Sequence, residues 1–405
     1  MIRIPASKLE AGMVLAAPVA HPTVAHHVLL RADYRMEANT IQQLNRLTIE
    51  AVWIRHPGFD FLDDKISAEI PRTRIKLYEA VKRSFTGIAN KTSGAFDLIE
   101  YQTVITSMIM SLIANKKNAV WAERLTKDDS DLFSHCSNVA YLSLVIGMQI
   151  KDYIVSQRKF VNRVDRTNLT NLGIGAMLHD LGKLGLDPQW HEIHFFDKDA
   201  DTEDYRSHAE RGYRDVSGRV EATASNILRH HHQRFDGSGF PKLEPLFKGQ
   251  TMKSMKGNNI HIFSRIVAVA NAMDGLMSVY QKRGLPLVAA LAAIQQPSFN
   301  GMFDPVVLDA ALRMIPPFPL GALVELSDGR EAIVTVLNES RPCQPKVQLL
   351  HSSSPEKDED HEQLDLSLPR APSIGKVDDQ VVESEVFYSL RAPLVRVPLT
   401  TCSVG

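Results

Sequence analysis

The chain has 405 residues, with 46 Lys plus Arg against 47 Asp plus Glu, a formal net charge of -1 and 44% hydrophobic residues. That length allows about two to four folded units, enough to bury a sizeable core without covalent staples. Cys136, Cys343 and Cys402 are odd in number and far apart, which argues against a disulfide framework and fits a reducing compartment. The balanced charge excludes a protein that is basic throughout, so no DNA partner is expected and an anionic ligand has to be held by a local cluster.

The opening MIRIPASKLEAGMV has no continuous apolar run after Arg3, so no signal peptide is expected. Two long stretches lack formal charge. Leu132–Ile150 carries His135 and Asn138, and Gly284–Phe303 is broken by Pro286, Pro297 and a Gln-Gln pair, so neither is expected to cross a membrane. The expected location is the cytoplasm.

In chain order, residues 1–64 predict a small α+β module: a strand-like Val28–Arg35 segment, a helix from about Asn39 with Ile41, Leu44 and Leu47 on one side, and a strand around Ala51–Ile54. Residues 65–120 predict a helical linker whose mixed charge, as in Arg74-Ile75-Lys76-Leu77-Tyr78-Glu79, reads as a solvated spacer. Residues 121–320 predict the main core, a series of amphipathic helices with apolar faces such as Val139, Leu142, Val145 and Ile146, or Ile174, Met177 and Leu178. After Pro316-Pro317 the period falls to two: Ala322–Leu326, an Asp328-Gly329 turn, Ala332–Leu337 and Val347–Leu350 predict a β extension over 321–350. Residues 351–405, acidic at first and proline-bearing later, predict a mobile tail. The fold class is mostly α.

The histidines of the helical block are placed unusually. His135, the adjacent His179-Asp180, His208 and the run His230-His231-His232 each sit on or beside a helix with a strong apolar stripe. A lone histidine there is usually a satisfied core residue. Imidazoles and a carboxylate arriving together from separate helices make the N/O ligand set that Fe, Mn or Zn takes. Gly182-Lys183 follows directly, and an ammonium there suits a phosphate oxygen beside the metals. The loop Arg234-Phe235-Asp236-Gly237-Ser238-Gly239-Phe240-Pro241 is tight and follows the triple histidine, as a pocket wall would. Cys136 points about a hundred degrees away from His135 around a helix and is expected to pack in the core. His26-His27, His191 and His194 are read as surface residues.

These motifs resemble the HD-GYP family, the bacterial cyclic di-GMP phosphodiesterase branch of the HD superfamily of metal-dependent phosphohydrolases. The likeness covers about Leu125 to Met314. His135-Cys136-Ser137-Asn138-Val139-Ala140 matches the first ligand helix, and His179-Asp180-Leu181-Gly182-Lys183 matches HDxGK. His208 matches a downstream metal histidine, and His231-His232-Gln233-Arg234-Phe235-Asp236-Gly237-Ser238-Gly239-Phe240-Pro241 matches HHExxDGxGYP. Arg265-Ile266-Val267-Ala268-Val269-Ala270-Asn271-Ala272-Met273-Asp274 is similar to the RIxxVxDxxDAL helix.

The resemblance implies hydrolysis of cyclic di-GMP through a metal-bridged hydroxide. It implies a metal held by His135, His179, Asp180 and Asn271, another held by Asp180, His208, His231 and His232, Asp180 bridging, and Lys183 steadying the phosphate. The metals implied are Fe or Mn. Asp131, four residues before His135, is a candidate for a third, against its plainer reading as an acidic residue in a helix's first turn. Asp236, Gly237, Gly239, Phe240, Pro241 and Arg283 are the implied substrate contacts. A regulatory partner of diguanylate cyclase or sensor kinase type, and a homodimer, are the protein partners considered.

Four departures fall inside the motifs. Asn271 stands where the family has a metal-binding Asp, which weakens that site by a full charge; Gln233 replaces Glu, and Phe240 replaces Tyr. The basic R-P-Y-[RK] grip reads Tyr280-Gln281-Lys282-Arg283, with only Arg283 in register. Three readings follow: a working cyclic di-GMP phosphodiesterase of reduced activity, an impaired protein that acts as a nucleotide sensor or partner-binding module, and an HD phosphohydrolase with a different phosphoester substrate.

Overall fold

The computed structural model describes residues 1–20, 28–47, 49–66, 69–92, 96–115, 131–158, 162–191, 194, 196–242, 254–350 and 362–390. The N-terminal module contains β1 (Ile2–Pro5), β2 (Val14–Leu15), β3 (Val19–Ala20), β4 (Val28–Leu30), α1 (Ala38–Arg46) and β5 (Ala51–Arg55). β5 lies between β1 and β2, antiparallel to both, while β3 and β4 make a separate hairpin. The strand expected over Val28–Arg35 stops at Leu30, because Asp33 takes a positive φ of 66° and turns the chain.

Two long helices follow, α2 (Glu69–Ala89) and α3 (Leu98–Ala114). They are no solvated spacer. Ile70, Leu77, Val81, Phe85, Tyr101, Ile105 and Met108 are buried in the same core as the histidine-bearing helices. A buried Arg74 donates to Asn138 Oδ1 at 3.0 Å and lies over the Tyr141 ring, so a charge that reads as wet in the sequence keys α2 to the next helix.

That core continues through α4 (Asp131–Gln149), α5 (Lys151–Gln157), α6 (Arg163–Thr167), α7 (Thr170–Leu178), α8 (Glu203–Val216), α9 (Ala222–His230), α10 (Ile262–Lys282), α11 (Leu287–Ala293) and α12 (Pro305–Met314). α7 is the central helix. Every residue from Leu172 to Leu178 is buried, which is why this segment is apolar on all sides rather than striped. Among the described residues α10 alone is long and apolar enough by itself to cross a membrane, over Ile262–Tyr280, and 89% of that window is buried inside the molecule. The charge-free Leu132–Gln149 stretch passes that test only as a pair with α5, bent by 86°.

The expected strands appear as β6 (Leu323–Leu326), β7 (Glu331–Val336) and β8 (Lys346–Leu349), with Gly329 at a positive φ in the turn. The sheet does not end there. β9 (Gln363–Asp365), β10 (Ile374–Val377) and β11 (Gln380–Val381) complete six antiparallel strands in the order β11-β10-β6-β7-β8-β9. The segment read as tail thus re-enters the fold after 362, because Leu366, Ile374, Val377 and Val382 bury in the sheet's core. Residues 351–361 and 391–405 lie outside the described residues. Ile2, Ile4, Leu15, Val52 and Ile54 share that second core with Leu323, Val324, Ile333 and Val347. Arg3 N–H donates to Gly321 O at 2.7 Å, and Arg3 and Lys8 pair with Asp378 and Glu331. The two ends of the described chain therefore make one β unit beside the helical block.

Candidate metal centre

α7 ends at the histidine-aspartate pair, and a 3-10 turn over Leu181–Gly185 carries the chain away from it. Gly182 lets this turn lie directly on α8: a Cβ there would meet the His208 carbonyl oxygen at 2.0 Å and the Gly212 nitrogen at 2.6 Å. The close approach brings His208 onto Asp180. His135 comes from α4, and His231 and His232 come from the end of α9. All five imidazoles and the carboxylate are buried.

The imidazole orientations follow from their second nitrogens. His179 Nδ1 donates to Ala176 O at 2.8 Å, His231 Nδ1 to Leu228 O at 2.8 Å, and His208 Nδ1 to Tyr205 O. His135 Nδ1 donates to Asp274 Oδ2 at 2.7 Å. With Nδ1 protonated, each Nε2 carries a lone pair, and these lone pairs point at Asp180. Asp180 Oδ2 lies 3.6 Å from His135 Nε2 and 3.5 Å from His179 Nε2, while Oδ1 lies 3.3 Å from His208 Nε2 and 3.5 Å from His231 Nε2. His232 Nε2 closes the second set at 3.2 Å from His208 Nε2.

Two donor groups result, His135-His179-Asp180 and Asp180-His208-His231-His232, each with its ligand atoms within 4.8 Å of one another. The Nε2 atoms of His135 and His179, and those of His208 and His231, lie 3.3 Å apart with the proton of each ring on Nδ1, so their lone pairs repel, and Asp180 Oδ1 is buried with no hydrogen-bond partner among the described residues. Cations at the two groups resolve both defects, so the donor set fits metal ions.

Burial works against the Asp180 carboxylate, yet Lys183 and the surrounding imidazoles hold it well below the usual carboxyl range. Burial likewise opposes the Lys183 ammonium, which the Asp180 charge, 2.9 Å away, nevertheless holds above its ordinary value. Lys183 also lies over the Tyr205 ring. Burial pushes His179 and His232 well below their usual value and His208 down to about 3. Outside the ligand set, burial lowers His230 and His261 to about 4 each. These depressed values fix a sign. The unfolded chain binds the extra protons below about pH 6.5, so metal-free protein is fully stabilised above that pH and loses stability as pH falls. At pH 5, the depressed values of His230 and His261 cost the folded protein about 2 kcal/mol each. Melting of the chelated protein between pH 8 and 5 is expected to show a falling Tm, and a flat profile would sink this account.

The remaining sequence candidates are placed as follows. Asn271 is buried on α10 and lines a cleft with His231, His232, Gln233, Arg234 and Phe240. Asp274, three residues on, holds the imidazole of His135. Phe240 stacks on His232 with ring centroids 4.5 Å apart and planes at 17°, so its face covers one imidazole of the donor set. Asp236 accepts the Ser238 N–H at 2.8 Å, and Gly237 has a φ of 87°; both serve the turn. Gly239 has no room for a Cβ, which would lie 2.3 Å from Arg234 N and His232 O. Pro241 O accepts from Gln233 Nε2. Arg283 is exposed at the end of α10. Asp131 opens α4, but its side chain lies outside the described residues, as do His26 and His27. Cys136 is buried with its thiol held well above its usual range, as a packed core residue would be.

Two histidines read as surface residues belong to this region. His191 Nε2 lies 2.8 Å from Lys183 O, and the His194 ring is 6.0 Å from that of His135. Their sequence context shows no helical stripe, which is why periodicity passes over them.

The family model described as HD domain matches residues 132–276. HD domains are metal-dependent phosphohydrolases, and the two His/Asp groups, all of whose residues fall in the matched segment, could hold metal ions. The chain is 22% identical over 387 residues to a cyclic di-GMP phosphodiesterase of Pseudomonas aeruginosa, covering 87% of this chain and 85% of that one. It is 32% identical over 148 residues to a cyclic di-GMP phosphodiesterase response regulator of Xanthomonas campestris pv. campestris, which is 35% of each chain. A solved HDG"Y"P protein from Bdellovibrio bacteriovorus aligns with 77% of this chain and 98% of its own at 16% identity and a TM-score of 0.43. The superfamily and the mostly helical class read from the motifs hold, with the HD domain flanked by small sheets.

Proposed function

We propose that this HD domain hydrolyses cyclic di-GMP, with His135 and His179 holding one divalent ion, His208, His231 and His232 another, and Asp180 shared between them. The observation that carries the reading is the buried Asp180 carboxylate, which offers one oxygen to each imidazole set. The substrate is supported by the curated relatives named above, one of them matched along most of both chains. An imidazole and carboxylate set without thiolate suits Fe or Mn. Bound there, such ions would lower the pKa of a coordinated water and offset charge on the phosphate.

The chain's own groups do the rest. Lys183 keeps Asp180 ionised and presents an ammonium to an arriving phosphate. Phe240 and its loop wall the cleft on the His232 side. The His135-His179 pocket has one donor fewer than the other, and Asn271 brings no charge toward it, which favours a binding module without turnover as the second reading.

Protein reconstituted anaerobically with Fe(II) or Mn(II) is expected to cleave cyclic di-GMP. His179→Ala should lose that turnover, and Asn271→Asp should raise the bound metal per chain at limiting metal. Fully loaded protein without turnover, restored by Asn271→Asp, would establish the second reading instead.

A further inference from the structure

Arg234 lines the same cleft as His231, His232 and Asn271, and its side chain is half-buried. Ala200, Ala268, Met302 and Phe303 make the cleft's other walls apolar. A guanidinium in such surroundings is normally paired, yet among the described residues Arg234 has no carboxylate partner. The one carboxylate in the lining, Asp201, is engaged by Arg206 at 2.6 Å. The backbone beneath Arg234 is fixed. Its carbonyl accepts from Gly237 N at 2.8 Å, Phe235 N donates to Met302 O at 2.7 Å, and Gly239 packs against its nitrogen. An unpaired cation on a fixed backbone, beside the histidines of the donor set, is a seat for an anion.

A cyclic dinucleotide brings two phosphodiesters, of which one is cleaved at a time. The other needs a cation, and at the end of α10 Tyr280 and Gln281 are uncharged, while Lys282 and Arg283 are exposed and do not line this cleft. Resting on the function proposed above, we infer that Arg234 grips the phosphate that is not being cleaved and so selects cyclic dinucleotides over simple phosphodiesters. Its planar fork can hold two phosphate oxygens at once, which a lysine cannot.

The test compares cyclic di-GMP with bis(4-nitrophenyl) phosphate, which has a single phosphate, on metal-loaded wild type, Arg234→Ala and Arg234→Lys. Metal content and Tm of each variant report on folding. In Arg234→Ala the KM for cyclic di-GMP is expected to rise about ten- to thirtyfold while kcat falls less than about threefold, with Arg234→Lys recovering part of the loss. The fall in kcat/KM should be at least about five times larger for the cyclic dinucleotide than for the aryl diester. Equal losses on both substrates, or a fall confined to kcat, would overturn the role of Arg234 and leave the proposed function standing. A wild type that cleaves the aryl diester and not cyclic di-GMP would remove the proposed function, and this inference with it.

Discussion

Asp180→Ala is expected to abolish metal retention at both donor groups and to cut turnover on the order of a thousandfold or more, about 4 kcal/mol of barrier. The carboxylate is the one ligand common to both groups, so no other single substitution touches both. It has a second effect. Lys183 is 3% exposed and pairs with Asp180 at 2.9 Å, so removing the carboxylate takes the adjacent negative charge away from a buried ammonium. Breaking a buried pair from one side costs about 3–5 kcal/mol. Asp180→Ala should therefore also lower the Tm of metal-free protein, and adding Lys183→Met should restore the Tm without restoring metal or turnover. Metal analysis and melting curves separate the two effects; an Asp180→Ala protein that still holds two metals per chain would refute the bridging assignment.

Gly182→Ala is expected to be among the most damaging single-methyl additions in the chain. The new Cβ would meet three backbone atoms of α8, and backbone cannot rotate aside as a side chain can. Relief requires α8 to move off the turn, and His208 moves with it. The expected result is a loss of about 3 kcal/mol or more of stability, or a folded protein that keeps His135-His179 binding and loses the four-donor group. Gly375→Ala is the control: its Cβ would have ordinary contacts of 3.6 Å and beyond, and it should change stability by less than about 1 kcal/mol. Equal melting of the two variants would contradict the close approach.

The six proposed donors could be picked out in the sequence because His179-Asp180 and His231-His232 are adjacent pairs and His135 and His208 sit on helices with apolar stripes. The partners of those imidazoles were harder to see. Ala176, Tyr205 and Leu228 act through backbone carbonyls three residues before their histidines, and a carbonyl has no sequence signature. Asp274 was visible in a motif, but its bond to His135 spans 139 residues. α2 and α3 were misread because Arg74 and its neighbours carry charge; periodicity gives the helix, while burial depends on Asn138 and Tyr141, far along the chain. β9 to β11 escaped notice because strands of two to four residues between prolines and serines look like loops until β6 and β8 are there to pair with them.

The joining of the first strands to the last sheet also sets an order of assembly. During translation, Ile2, Val52 and Ile54 leave the ribosome long before Leu323, Val324 and Ile374, which complete their core. At ~5–20 residues per second the nascent N-terminus waits roughly a quarter of a minute to a minute, while the intervening helices are made. The histidines of the donor set, all encoded within the interval, can come together before the two ends of the β unit close.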